Sequence, residues 1–83
     1  MEINLKNNQI KDISALDQFN GLKILKLSGN QISDISILNN FKDNLEEIYL
    51  TDNKTLKSVD VFINNRFAKL KKLTLQELVK RWI

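Results

Sequence analysis

Glu46, Glu47 and Asp52 place three carboxylates within seven residues, and clustered carboxylates are the raw material of general acid–base catalysis and of hard-cation sites. Either use needs the oxygens on one side of the backbone. The flanking residues LEEIYL alternate apolar and polar, as a strand does, so Glu46 and Glu47 point to opposite faces. No nucleophile or base stands near them in sequence. The chain has no cysteine and no histidine, which removes thiolate ligands, thiol nucleophiles and the side chain whose unperturbed pKa lies near neutrality. A non-enzyme with no catalytic residues, no metal and no cofactor is expected.

The remaining cations are unevenly spread. Residues 1–65 hold seven Lys against nine Asp and Glu, a net charge of -2, whereas residues 66–83 hold Arg66, Lys69, Lys71, Lys72, Lys80 and Arg81 against Glu77, a net of +5. Such a cluster could neutralise nucleic-acid phosphates, yet it carries no interleaved aromatic platform and no recognised motif. A solvated basic rim, with cations suited to a helix C-terminus, explains it equally well, and nucleic acid is not the expected partner. Asn53-Lys54-Thr55 fits the glycosylation pattern, but the repeat described below gives Asn53 a different task.

Eighty-three residues are one domain, 1–83, whose whole stability is about 4–12 kcal/mol. The start MEINLKNNQI lacks the charged beginning and apolar run of a signal peptide. No apolar stretch approaches the roughly 20 residues that span a bilayer, so no membrane partner is expected, and cytoplasm is the default compartment. Proline is absent and glycine occurs twice, so no linker divides the chain. Asn20-Gly21 lacks paired strands on either side and reads as a loop before Leu22.

The organisation lies in repetition. KNNQIKDISAL, from Lys6, returns as SGNQISDISIL, from Ser28, with Asn8, Ile10, Asp12, Ile13 and Leu16 each displaced by 22 positions. Aligned on the asparagines, LKILKLSGN (Leu22 to Asn30) matches LEEIYLTDN (Leu45 to Asn53) and then LKKLTLQEL (Leu70 to Leu78), with the shortened INLKNN (Ile3 to Asn8) before them. This spacing resembles the leucine-rich repeat. The short period and the phrase NQISDIS look most like the 22-residue subclass of bacterial internalins and of the leucine-rich regulatory subunit of protein phosphatase 1. The third unit departs from the pattern after Asn53, and the fourth has Glu77 and Leu78 near the place of the asparagine.

Physical chemistry reaches the same architecture. Period-two alternation at Leu25 and Leu27, Ile48 and Leu50, and Leu73 and Leu75 marks short strands with those side chains inward. Strands in equal phase, 22 to 25 residues apart, leave room for crossovers and therefore run parallel. The crossovers are apolar every third residue, at Ile10, Ile13, Leu16 and Phe19 and at Ile32, Ile35, Leu38 and Phe41, a spacing that suits 3₁₀ or short helical turns. Asp12 or Ser14, and Asp34 or Ser36, are suited to cap them. Asn8, Asn30 and Asn53 should form a buried ladder that bonds peptide groups of the bend and of the next coil. The fold class is thus α/β: a leucine-rich-repeat solenoid of about three and a half short repeats, with a parallel concave sheet and a 3₁₀ or short helical convex side. Leu75, Leu78, Val79 and Trp82 share one helical face, so 76–83 is expected to cap the last coil.

The resemblance implies that the concave face binds another protein. Its columns are Glu2, Ile24, Glu47 and Lys72; Asn4, Lys26, Tyr49 and Thr74; and Lys6, Ser28, Thr51 and Gln76. Neighbours about 4.8 Å apart would let Glu47 meet Lys72 and would set Tyr49 between Lys26 and Thr74. The expected contact residues are Ile24, Lys26, Ser28, Glu47, Tyr49, Thr51, Lys72 and Thr74, with Tyr49 and Ile24 as anchors. A terminal fragment or structural cap of a longer repeat protein is the alternative of a different class; nucleic-acid binding through Lys69, Lys71, Lys72, Lys80 and Arg81 is the second. The first coil, with Ile3, Leu5, Ile10 and Ile13, has no neighbour before it, so an upstream segment or a twofold homodimer is expected to cover it.

Overall fold

A computed structural model describes residues 1–75. Within them, β1 (Glu2–Asn4), β2 (Ile24–Lys26), β3 (Glu47–Tyr49) and β4 (Lys72–Thr74) form one parallel sheet in the order β1-β2-β3-β4. Sequence neighbours are spatial neighbours throughout, as a solenoid requires. The register sets Glu2 beside Ile24, Ile24 beside Glu47 and Glu47 beside Lys72, with Asn4, Lys26, Tyr49 and Thr74 forming the next column. Parallel backbone bonds continue beyond the strands, the Leu5 N–H donating to Lys26 O at 2.8 Å and the Leu27 N–H to Tyr49 O at 2.8 Å. The expected capping segment 76–83 and Gln76 lie outside the described residues.

Inward residues form a single core. Leu22, Leu25, Leu27, Ile32, Leu38, Leu45, Ile48 and Leu50 are fully buried. Leu75 is also buried, whereas Leu73, on the last described strand, is half-buried. The crossovers close the coil with 3₁₀ turns at Ser14–Gln18 and Ser36–Phe41 and an α-helix, α1 (Asp60–Asn64). Ile13 and Leu16 in the first, and Ile32, Ile35, Leu38 and Phe41 in the second, are buried, which realises the three-residue spacing. The third crossover keeps that spacing at Leu56, Val59 and Phe62, but its extra residues allow one α-helical turn, which also buries Val61.

The N-cap residues of the first two turns are Ile13 and Ile35, not the expected Asp or Ser, and the aspartate just before each bonds across it. The Asp12 carboxylate accepts from the Ser14 N–H at 2.8 Å and the Asp34 carboxylate from the Ser36 N–H at 2.9 Å. In the third crossover the two residue types exchange places, and Ser58 Oγ accepts from the Asp60 N–H at 3.0 Å. The backbone N–H of Ser14 first, and its hydroxyl second, hold the Asp12 carboxyl below its ordinary value; Ser36 does the same for Asp34. A carboxyl whose folded pKa is lowered contributes stability above its unfolded pKa and loses it as pH falls through the folded value. The thermal midpoint is therefore expected to decline as pH drops below about 4, and the double variant Asp12→Asn, Asp34→Asn should decline less steeply. Identical slopes in calorimetric scans would disconnect these carboxylates from folding.

A second register runs along the bends. Asn7, Gly29 and Asp52, each immediately before a ladder asparagine, are left-handed with φ of 59, 74 and 60°. Only glycine, or a short polar side chain such as Asn or Asp, enters this region at low cost. Gly29 is more constrained than the other two. A methyl group there would overlap Asn7 Oδ1 and lie 3.2 Å from Asn7 Cα and N, so a side chain at Gly29 would have to displace the Asn7 amide and press on the first bend.

Candidate partner-binding face

The strands bring the expected contact residues onto one face. Ile24, Lys26, Ser28, Glu47, Tyr49, Thr51 and Thr74 are half-buried there and Lys72 is exposed. Tyr49 occupies the middle, on β3, because its side chain follows the alternation that buries Ile48 and Leu50. Its hydroxyl donates to Glu47 Oε1 at 2.6 Å, a short charge-assisted bond. Lys26 Nζ lies 5.6 Å and Lys72 Nζ 5.3 Å from the Tyr49 ring centroid, within the reach of a cation–π contact. Lys26 Nζ is also 3.3 Å from Glu2 Oε2, and the Thr51 hydroxyl meets Ser28 Oγ at 2.9 Å.

The expected pairing of Glu47 with Lys72 is replaced by a different arrangement. These residues are register partners, but Glu47 is also two positions from Tyr49 on the same strand face, and the phenol hydroxyl takes its oxygen. Lys72 turns to the ring instead. Tyr49 is flanked by Lys26 as expected, with Thr74 its register partner on the other side.

Beneath the face runs the asparagine ladder, and its direction corrects the expectation. Asn30 Nδ2 donates to Leu27 O in its own coil at 2.8 Å and to Leu5 O in the preceding coil at 3.0 Å, while its Oδ1 accepts from the Ile10 N–H at 3.1 Å. Asn53 repeats the pattern one coil on, with Leu50 O at 3.0 Å, Leu27 O at 3.0 Å and the Ile32 N–H at 3.1 Å. Each amide thus serves the coil before it, not the one after. Asn30 and Asn53 are buried, but Asn8 is exposed. Its Nδ2 donates only within its own bend, to Leu5 O at 2.9 Å and Lys6 O at 3.2 Å, because no coil stands before it among the described residues.

Apart from Lys72 and Glu47, the residues of the other signals stay apart from this face. Lys69 and Lys71 are exposed, and Lys71 Nζ is 3.3 Å from Glu46 Oε1; Lys80 and Arg81 lie outside the described residues. Among the described residues, no three His, Cys, Asp or Glu gather where they could hold a metal ion, and no helix is long and apolar enough to cross a membrane. On the convex side an open cleft of about 640 Å³ separates the second and third crossovers, with Asp34, Asn39, Lys57 and Asp60 in its lining.

A one-way parallel sheet, three-residue crossover spacing and stacked amides define a repeat solenoid. The family described as Leucine Rich repeats (2 copies) matches residues 2–40 and again 21–64, and the chain belongs to that family. No curated protein and no solved structure matches the chain. Repeats of this family are generally protein-interaction modules.

Proposed function

We propose that the chain is a non-catalytic protein–protein interaction module whose partner docks on the concave sheet face, and that it acts in the cytoplasm. The observation that supports this reading is the organised centre of that face, where Tyr49 is held by Glu47 and flanked by Lys26 and Lys72. An aromatic ring fixed before the partner arrives loses little conformational entropy on binding, which is what an interface anchor needs. The spacing of 22 and 23 residues between Asn8, Asn30 and Asn53 supports placing the chain with the short subclass that includes the internalins and the phosphatase 1 regulatory subunit. The matched positions are scaffold positions, so no contact residue is transferred from either.

The test is a quantitative pull-down of a bound protein with the unaltered chain, Tyr49→Ala and Lys26→Glu. Each change should weaken capture about tenfold or more, as loss of an interface anchor does. Capture undiminished by both would remove the concave face from the interaction.

A further inference from the structure

The Glu2 and Glu47 carboxylates of the concave face are both engaged within the face, whereas the Lys72 ammonium is left over among the described residues. Glu2 is 3.3 Å from Lys26 Nζ and Glu47 accepts the Tyr49 hydroxyl. On the donor side, Lys72 Nζ has no carboxylate within ion-pair distance among the described residues. Lys26 and Lys72 approach one ring from β2 and β4, on opposite flanks of β3. Two like charges beside a single quadrupole repel each other, and an anion seated beside Tyr49, off the negative face of its ring and within reach of both ammonium groups, would be attracted by both. The Ser28–Thr51 hydroxyl pair shares one bond, so one of its two protons remains for an acceptor. The Lys72 ammonium and one hydroxyl proton are thus left to meet an acceptor on a partner.

We infer that the concave face selects an acidic polypeptide segment, one of whose Asp or Glu carboxylates sits at the edge of the Tyr49 ring within reach of the Lys26 and Lys72 ammonium groups. This rests on the concave-face reading above and names the chemistry of its partner. A nucleic acid would present the same sign of charge but as a continuous chain of phosphates, and its affinity rests on how many are neutralised at once. The face offers two ammonium groups at its centre and has Glu2 and Glu47 beside them, which would repel neighbouring phosphates. A single carboxylate set among neutral side chains matches that pattern.

The experiment is an NMR titration of the whole ¹⁵N-labelled chain with a synthetic peptide carrying one Glu among Ser, Thr and Val residues, its Glu→Gln and Glu→Lys analogues, and oligothymidylate. The Glu peptide should move the amide signals of β2, β3 and β4, bind about tenfold tighter than the Gln analogue, and weaken as salt is added. In the double variant Lys26→Glu, Lys72→Glu the order should reverse in favour of the Lys peptide. Lys26→Met with Lys72→Met removes both charges without setting a carboxylate beside Glu2, and should bind the Glu and Gln peptides equally. Equal binding of Gln or Lys peptides on the sheet by the unaltered chain, or failure of the Glu peptide to bind, would overturn the acidic class while leaving the face itself available to a partner. Shifts confined to the convex crossovers would overturn the face as well. Preference for oligothymidylate would overturn the assignment to a polypeptide.

Discussion

Asn53→Ala is expected to destabilise the chain by about 3 kcal/mol, because the backbone N–H of Ile32 and the carbonyls of Leu27 and Leu50 lose a buried partner together. That is a large part of the roughly 4–12 kcal/mol available to a chain of this length. The three asparagines in equivalent positions should not respond alike. Asn30 has the same bonds but retains slight exposure, 6 % against 0 % for Asn53, and its replacement should cost about 2 kcal/mol. Asn8→Ala, at an exposed bend, should stay within about 0.5 kcal/mol. Urea unfolding of the three variants gives the comparison, read as a change in midpoint at constant slope. Equal losses at Asn8 and Asn53 would mean that burial against the preceding coil is not what makes the ladder stabilising.

Ile48→Ala should cost about 4 kcal/mol. Ile48 is fully buried on β3, with Leu25 of β2 and Leu73 of β4 as its register partners, so truncation opens a cavity bounded on both sides by strands that cannot close in without breaking the ladder. Leu73→Ala removes a similar volume from a half-buried position and should cost about half as much, since water and neighbouring side chains can fill the space. Ile48→Val deletes one methylene and should lie near 1 kcal/mol. The same urea titrations serve, and Ile48→Ala no more destabilising than Leu73→Ala would place the centre of packing somewhere other than β3.

Strand positions and register were legible because both follow from a fixed apolar spacing. Leu25, Ile48 and Leu73 had to align once the repeat was recognised, and the concave columns came with them. The bonds within those columns were not legible. Glu47 could reach Lys72 across the sheet or Tyr49 along its own strand, and only the rotamer of the phenol decides between them. Asn8 reads the same as Asn30 and Asn53 in its local sequence, but burial of the amide depends on a coil packed before it, which local sequence does not encode. Direction was hidden for the same reason, since a ladder bonding forward and one bonding backward need the same spacing. The bends carried a signal that alternation alone passes over: Asn7, Gly29 and Asp52 recur before each ladder residue because all three tolerate a left-handed backbone.

The backward reach of Asn30 and Asn53 has a bearing on synthesis. A ribosome delivers the chain from its N-terminus, so the bend around Leu5 and Ile10 emerges well before Asn30, and the bend around Leu27 and Ile32 before Asn53. Each nascent coil therefore waits, with peptide groups still bonded to water, until the following coil leaves the exit tunnel and supplies the amide that completes it. Folding during translation must lag one coil behind emergence, and a pause that leaves Asn53 inside the tunnel with the second coil outside would hold that coil in its least protected form.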